Sequence, residues 1–134
     1  MSPVAETALS FEVKLPHLGP SKNELARMHW AAKGRVVRLV RDIVGVMARN
    51  EHLPAATGPR TVRLTVIRGV GGGRTMDDDG CATACAPIVD GLRDARLLIQ
   101  DDPKSARLLT PVQVRDPKGA GLRVRVELWD GIAG

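Results

Sequence analysis

Aromatic side chains are almost missing from this chain: Phe11, Trp30 and Trp129 are the whole set, 2% of 134 residues, with no tyrosine. A row of aromatics for stacking unpaired bases is therefore excluded, and the core must be aliphatic. No apolar run approaches the ~18 residues of a membrane span. The N-terminal stretch lacks the charged head and long apolar segment of a secretory signal, so a cytoplasmic location is the expected default. Cysteine is scarce as well. Cys81 and Cys85 stand four apart; a helix would put them on one face, but in poor geometry for a disulfide. Two free thiols are expected. A zinc site needs four ligands at paired spacings, and His17, His29 and His52 stand far from the cysteines in sequence.

What is present is charge, unevenly placed. The chain carries a net +5, yet between Asp77 and Asp102 seven aspartates face only Arg93 and Arg96. That segment is −5 and the remainder +10. A strongly basic body attracts polyanions, most commonly nucleic acid. An acidic knot inside it calls for a counter-ion, and a bound cation is the obvious one.

Length implies one domain over residues 1–134. Residues 1–7 read as a flexible tail. Leu9–Leu15 alternates apolar and polar like a strand with one buried face. Pro16, Gly19 and Pro20 mark a loop. From His29 to Asn50, Val36, Val40, Ile43, Val44 and Met47 recur at helical spacing. Arg60–Arg68 is the clearest strand. Gly69–Arg74 reads as a flexible loop without a Walker lysine. Pro87 suits a first helical turn, so the next helix is expected to start near Ala84 to Ala86 and end near Ala95, with Asp77–Thr83 as the loop before it. Arg96–Ile99 reads as a short strand. Ala106–Asp116 and Gly121–Asp130 read as two more, paired antiparallel through a turn at Pro117–Gly121. The order β-α-β-α-β-β-β predicts an α+β fold, a two-layer α/β sandwich on a mixed sheet.

In an extended loop, Asp77 and Asp79 would point the same way, with Asp78 facing away. Two such carboxylates can chelate a hard cation. Asp101 or Asp102, at the end of a returning strand, would reach the same ion. Asp90 has a structural reading as a helix cap or pairing partner, and Asp94 reads as solvated near Arg93.

The run "MDDDG……IVDGLRDARLLIQDD" resembles the RusA family of Holliday-junction resolvases. That family has an Asp-x-Asp-Asn run, a lysine, a helix bearing Asp-Gly-Leu or Asp-Ala-Leu, and a strand ending in Asp-Asp. Upstream, "GPSKNELARMHWAAKGR" is similar to the family's Pro-Ser-x-Asn loop and His-Trp helix start. The likeness spans Leu15 to Arg107. It implies a RusA-like fold and a homodimer that binds four-way DNA junctions and nicks opposing strands with magnesium, or manganese in its place. It also implies Asp77, Asp79 and Asp102 as catalytic metal ligands, with Asp101 as a supporting or substitute ligand. Lys22, Arg27, Lys33, Arg35 and Arg74 are the expected DNA contacts.

Two positions depart from the family: Gly80 stands at the asparagine and Ala86 at the lysine. That lysine would stabilise charge near the scissile phosphate. A catalytically impaired descendant that only binds branched DNA is the alternative, and a protein-interaction domain a third reading. A binder alone has little use for carboxylates that repel phosphate, which favours the nuclease.

Overall fold

The computed structural model describes residues 8–21, 27, 29–100 and 104–132. Among the described residues, five strands and two helices follow in the order β1 (Leu9–Leu15), α1 (Trp30–Asn50), β2 (Arg60–Val70), α2 (Asp78–Asp94), β3 (Ala106–Leu108), β4 (Val112–Ala120) and β5 (Leu122–Asp130). The fold is α+β on a mixed sheet. β5 lies between β1 and β2, antiparallel to both, while β3 and β4 run parallel to β2.

Strand periodicity decides which face is covered. Phe11, Val13 and Leu15 of β1 and Leu122, Val124, Val126 and Leu128 of β5 are buried, and the residues between them are mostly more exposed. On β2 the even positions Val62, Leu64 and Val66 join the same core as Val40 and Val44 of α1 and Ile88 and Leu92 of α2. The helices therefore cover one face of the sheet. The odd positions look the other way, where Arg63 forms a two-bond fork to Glu127 (2.9 and 3.0 Å) and its guanidinium lies 5.3 Å from the Trp129 ring centre.

The helices cross where side chains vanish. A β-carbon on Gly91 would sit 2.7 Å from the Arg41 carbonyl oxygen and 2.8 Å from Val44 Cβ. Arg41 then ties the crossing by two bonds to Asp94, from Nε at 2.6 Å and Nη2 at 2.8 Å. This pairing corrects the solvated reading of Asp94. Met47 lies on the open side of α1, and the buried stripe runs through Val40, Val44, Gly45 and Ala48.

The sheet departs from expectation in three ways. β4 and β5 are not a hairpin pair: β2 lies between them, with Arg68 against Leu122 on one side and Val70 against Ala120 on the other. The connection narrows to Gly121 at φ 72°, so Pro117–Ala120 is strand, not turn. Gly69 belongs to β2, and a β-carbon there would sit 2.5 Å from the Gly119 carbonyl carbon, so the approach of β4 needs a glycine. Arg96–Ile99 forms no strand. Arg96 adopts φ 64° after α2, the Arg96 amide bonds the Arg93 carbonyl, and the Leu97 amide bonds the Leu92 carbonyl. These bonds close the helix in a Schellman motif. It turns Leu97 and Leu98 into the core, and β3 forms further on from residues expected to open a single long strand.

Candidate functional site

The carboxylates sit where β2 hands over to α2. Gln113 of β4 fixes the approach: the Met76 amide donates to Oε1 at 2.9 Å, and Nε2 donates to the Met76 carbonyl at 2.6 Å. Asp77 is the N-cap of α2, and its Oδ1 accepts from the Gly80 amide at 2.7 Å. Asp78 and Asp79 form the first turn. The helix therefore begins six residues before the expected Ala84, and Asp77–Thr83 is not an extended loop. The carboxylates explain this: they oppose the unsatisfied amides and positive end of the helix dipole.

Pro87 lies inside the helix. It sits against the loop after β1, where the Gly19 amide donates to the Ala84 carbonyl at 2.9 Å, and a β-carbon on Gly19 would meet Pro87 Cγ at 2.7 Å. Tertiary packing over the proline thus accompanies a helix that local preference would stop.

The early start changes how the aspartates relate. Positions two apart on a helix are rotated by about 200°, so the same-side argument for Asp77 and Asp79 fails. Asp78 does not lie alone on a far side: with Asp79 it lines a cavity of about 260 Å³ that also touches Val62, Leu64, Cys85 and Leu108. All three aspartates are exposed, and among the described residues none is in an ion pair. Asp90, Asp94, Asp116, Asp130, Glu12 and Glu127 all are.

Asp90 stands apart from the trio, 3.4 Å from Arg93, in keeping with its structural reading. Asp101 and Asp102 lie outside the described residues. Among the described residues, no group of three or more His, Cys, Asp or Glu side chains is placed to hold a metal. The donor chemistry of the trio nonetheless suits a hard divalent cation, which takes carboxylate oxygens.

Gly80 and Ala86 differ in their surroundings. A β-carbon on Gly80 would come 2.5 Å from Asp77 Oδ1, so any larger residue displaces the cap. Ala86 is exposed on α2. Seven residues from Asp79 is about two turns, so both share a helix face.

Of the expected DNA contacts, Lys22 lies outside the described residues; Arg27, Arg35 and Arg74 are exposed, and Lys33 is half-buried on the first turns of α1. Sequence reasoning missed Arg60, Arg68 and Gln113. Arg60 is 2% exposed and holds the Leu97 and Pro54 carbonyls and Asp130. The signal for both buried arginines was the two-residue period of β2, which continues the inward row Val62, Leu64, Val66 to positions 60 and 68.

Charge contacts shift some groups. The Arg41 guanidinium holds the Asp94 carboxyl below the usual carboxylate range, and Arg123 does the same for Asp116. Contact with Cys81, then burial, pushes the Cys85 thiol up. Both cysteines are buried free thiols.

Among the described residues no helix is long and apolar enough to cross a membrane. No protein-family model matches the chain, and no match was found among curated proteins.

Proposed function

We propose that this chain is a RusA-type, magnesium-dependent endodeoxyribonuclease that binds four-way DNA junctions as a homodimer and nicks them. One observation carries the reading: three exposed aspartates stand at the start of α2 with no cationic partner among the described residues, in a protein of net charge +5. Carboxylates facing a polyanion repel it unless a cation lies between. Asp79, with Asp101 and Asp102, would hold that ion, and Asp77 would join them only through the carboxylate oxygen that its cap bond leaves open. Bound magnesium supplies charge neutralisation and a more acidic water. The protein's own part is to fix the carboxylates. The cap bond from the Gly80 amide orients Asp77, and the Gln113 clamp holds the residue before it. Arg27, Lys33, Arg35 and Arg74 would meet phosphates along the duplex arms.

Ala86 favours a second reading, a protein that retains junctions without cutting them. A lysine there would share a helix face with Asp79, and alanine leaves that charge out. One experiment separates the readings. An end-labelled four-way junction and a linear duplex of the same sequence are incubated with the protein, with magnesium, manganese or chelator. Metal-dependent nicks in the junction alone support the nuclease. Selective retention of the junction without nicks supports the binder. Neither nicks nor selective retention refutes both.

A further inference from the structure

We propose that Arg68 and the glycine-rich segment after β2 form a phosphate-binding pocket, separate from the carboxylates. Arg68 follows the inward row of β2 and is only 5% exposed. Its Nη1 donates to the Gly72 carbonyl at 2.9 Å, which fixes the guanidinium plane. Its Nε and Nη2 are buried and have no hydrogen-bond partner among the described residues. Those two nitrogens form one edge of the guanidinium fork. Arg41 uses that same edge on Asp94, and Arg63 uses it on Glu127. In Arg68 no acceptor among the described residues meets that edge. A buried cation without a partner is unfavourable, so the protein retains it for something that comes and goes.

The surroundings specify the class of that partner. Arg68 lines a cavity of about 500 Å³ together with His17, Gly19, Val36, Gly73 and Arg74. No carboxylate is among its described lining residues. A neighbouring anion is what the exposed Arg74 and the buried Arg68 both favour. Two parallel N–H donors match a phosphate or another planar pair of oxygens better than they match a halide. Glycine at 73 keeps the backbone open beside the guanidinium: a β-carbon there would come 3.2 Å from Arg68 Nη1, and its φ of 87° disfavours other residues. His17 donates from Nδ1 to the Leu18 carbonyl at 2.8 Å, which fixes the ring of a second polar side chain on the cavity wall. The pocket uses none of the carboxylates of α2 and stands whether or not they cut DNA.

The test uses the full chain at constant ionic strength, titrated with inorganic phosphate against chloride. The readouts are the melting temperature and the NMR signal of the Arg68 Nε–H group. Wild type should show a saturable phosphate response in both. Arg68→Met should abolish the thermal response while melting no lower than wild type, because it removes an unpaired buried charge. Val36→Phe leaves Arg68 in place and narrows the cavity; it should weaken phosphate binding at least tenfold, and it carries the test if Arg68→Met fails to fold. No response beyond chloride in wild type would mean that bound water alone satisfies Arg68, and would overturn the proposal. An unchanged response in a folded Arg68→Met would overturn it too. A second arm measures affinity for a four-way junction. A parallel loss in both variants makes the backbone phosphate of DNA the source. Loss of free-phosphate binding with junction affinity intact makes a free phosphate group the source. A wild type that takes phosphate and ignores every DNA keeps the pocket and removes the nuclease reading.

Discussion

Gly91→Ala tests whether the glycine of the Asp-Gly-Leu motif serves packing. A helix gains about 1 kcal/mol when an internal glycine becomes alanine. At position 91 the new carbon would lie 2.7 Å from the Arg41 carbonyl oxygen and 2.8 and 2.9 Å from two carbons of Val44. Two of those obstacles are a backbone oxygen and a β-carbon, which cannot swing aside, so α1 and α2 must separate. Overpacking of a tight core costs about 1–3 kcal/mol, and contacts this short belong near the top of that range. The net loss is about 2 kcal/mol, or about 7 °C in melting temperature for a chain of this size. Gly34→Ala is the matched control: it lies in α1 with nothing among the described residues within 4 Å of the new carbon, and should gain about 1 kcal/mol. Thermal and urea melts of both variants measure the difference. If Gly91→Ala melts at or above wild type, the close crossing is wrong, and the motif glycine needs another explanation.

Three further outcomes are expected. Asp77→Asn keeps a good N-cap and should leave stability nearly unchanged while abolishing metal-dependent nicking, whereas Asp77→Ala should also lose about 1 kcal/mol by thermal melt. Ala86→Lys alone should raise magnesium-dependent nicking with little change in junction affinity, since its charge acts mainly on the transition state; adding Gly80→Asn should lower stability, because the new β-carbon displaces the Asp77 carboxylate, and a single-turnover assay with a parallel melt separates the two effects. Asp94 has a depressed carboxyl pKa in the folded state, so its stabilisation is present above the unfolded value near 3.9 and fades as pH falls through the lower folded value; Asp94→Asn should cost about 1 kcal/mol at neutral pH and flatten the acid side of a stability-against-pH curve.

Much of the architecture was written in periodicity. Alternation located β1, β2 and β5, and helical spacing located α1, because a buried face imposes its period on the residues that form it. The α+β class and the mixed sheet followed from that, while the third strand formed from other residues than expected. The charge pattern picked out the aspartates before any coordinate was known. The start of α2 was not legible, because Pro87 argues locally for a later beginning. The helix instead forms from Asp78, with Asp77 capping it and the Gly19 loop packed over the proline. Leu97 and Leu98 looked like strand, since apolar residues after a helix fit either role, and the left-handed turn at Arg96 sends them into the core. Strand order was equally hidden. Adjacent strands usually pair, but here β2 separates β4 from β5, and the bare backbone of Gly69 lets β4 pass close beside it. The sequence by itself determined which side chains face inward and which carry charge. Packing decided which partners those charges meet: Asp94 finds Arg41 across a helix crossing, while the fork edge of Arg68 finds none among the described residues, because partners distant in sequence are set by packing and not by local period.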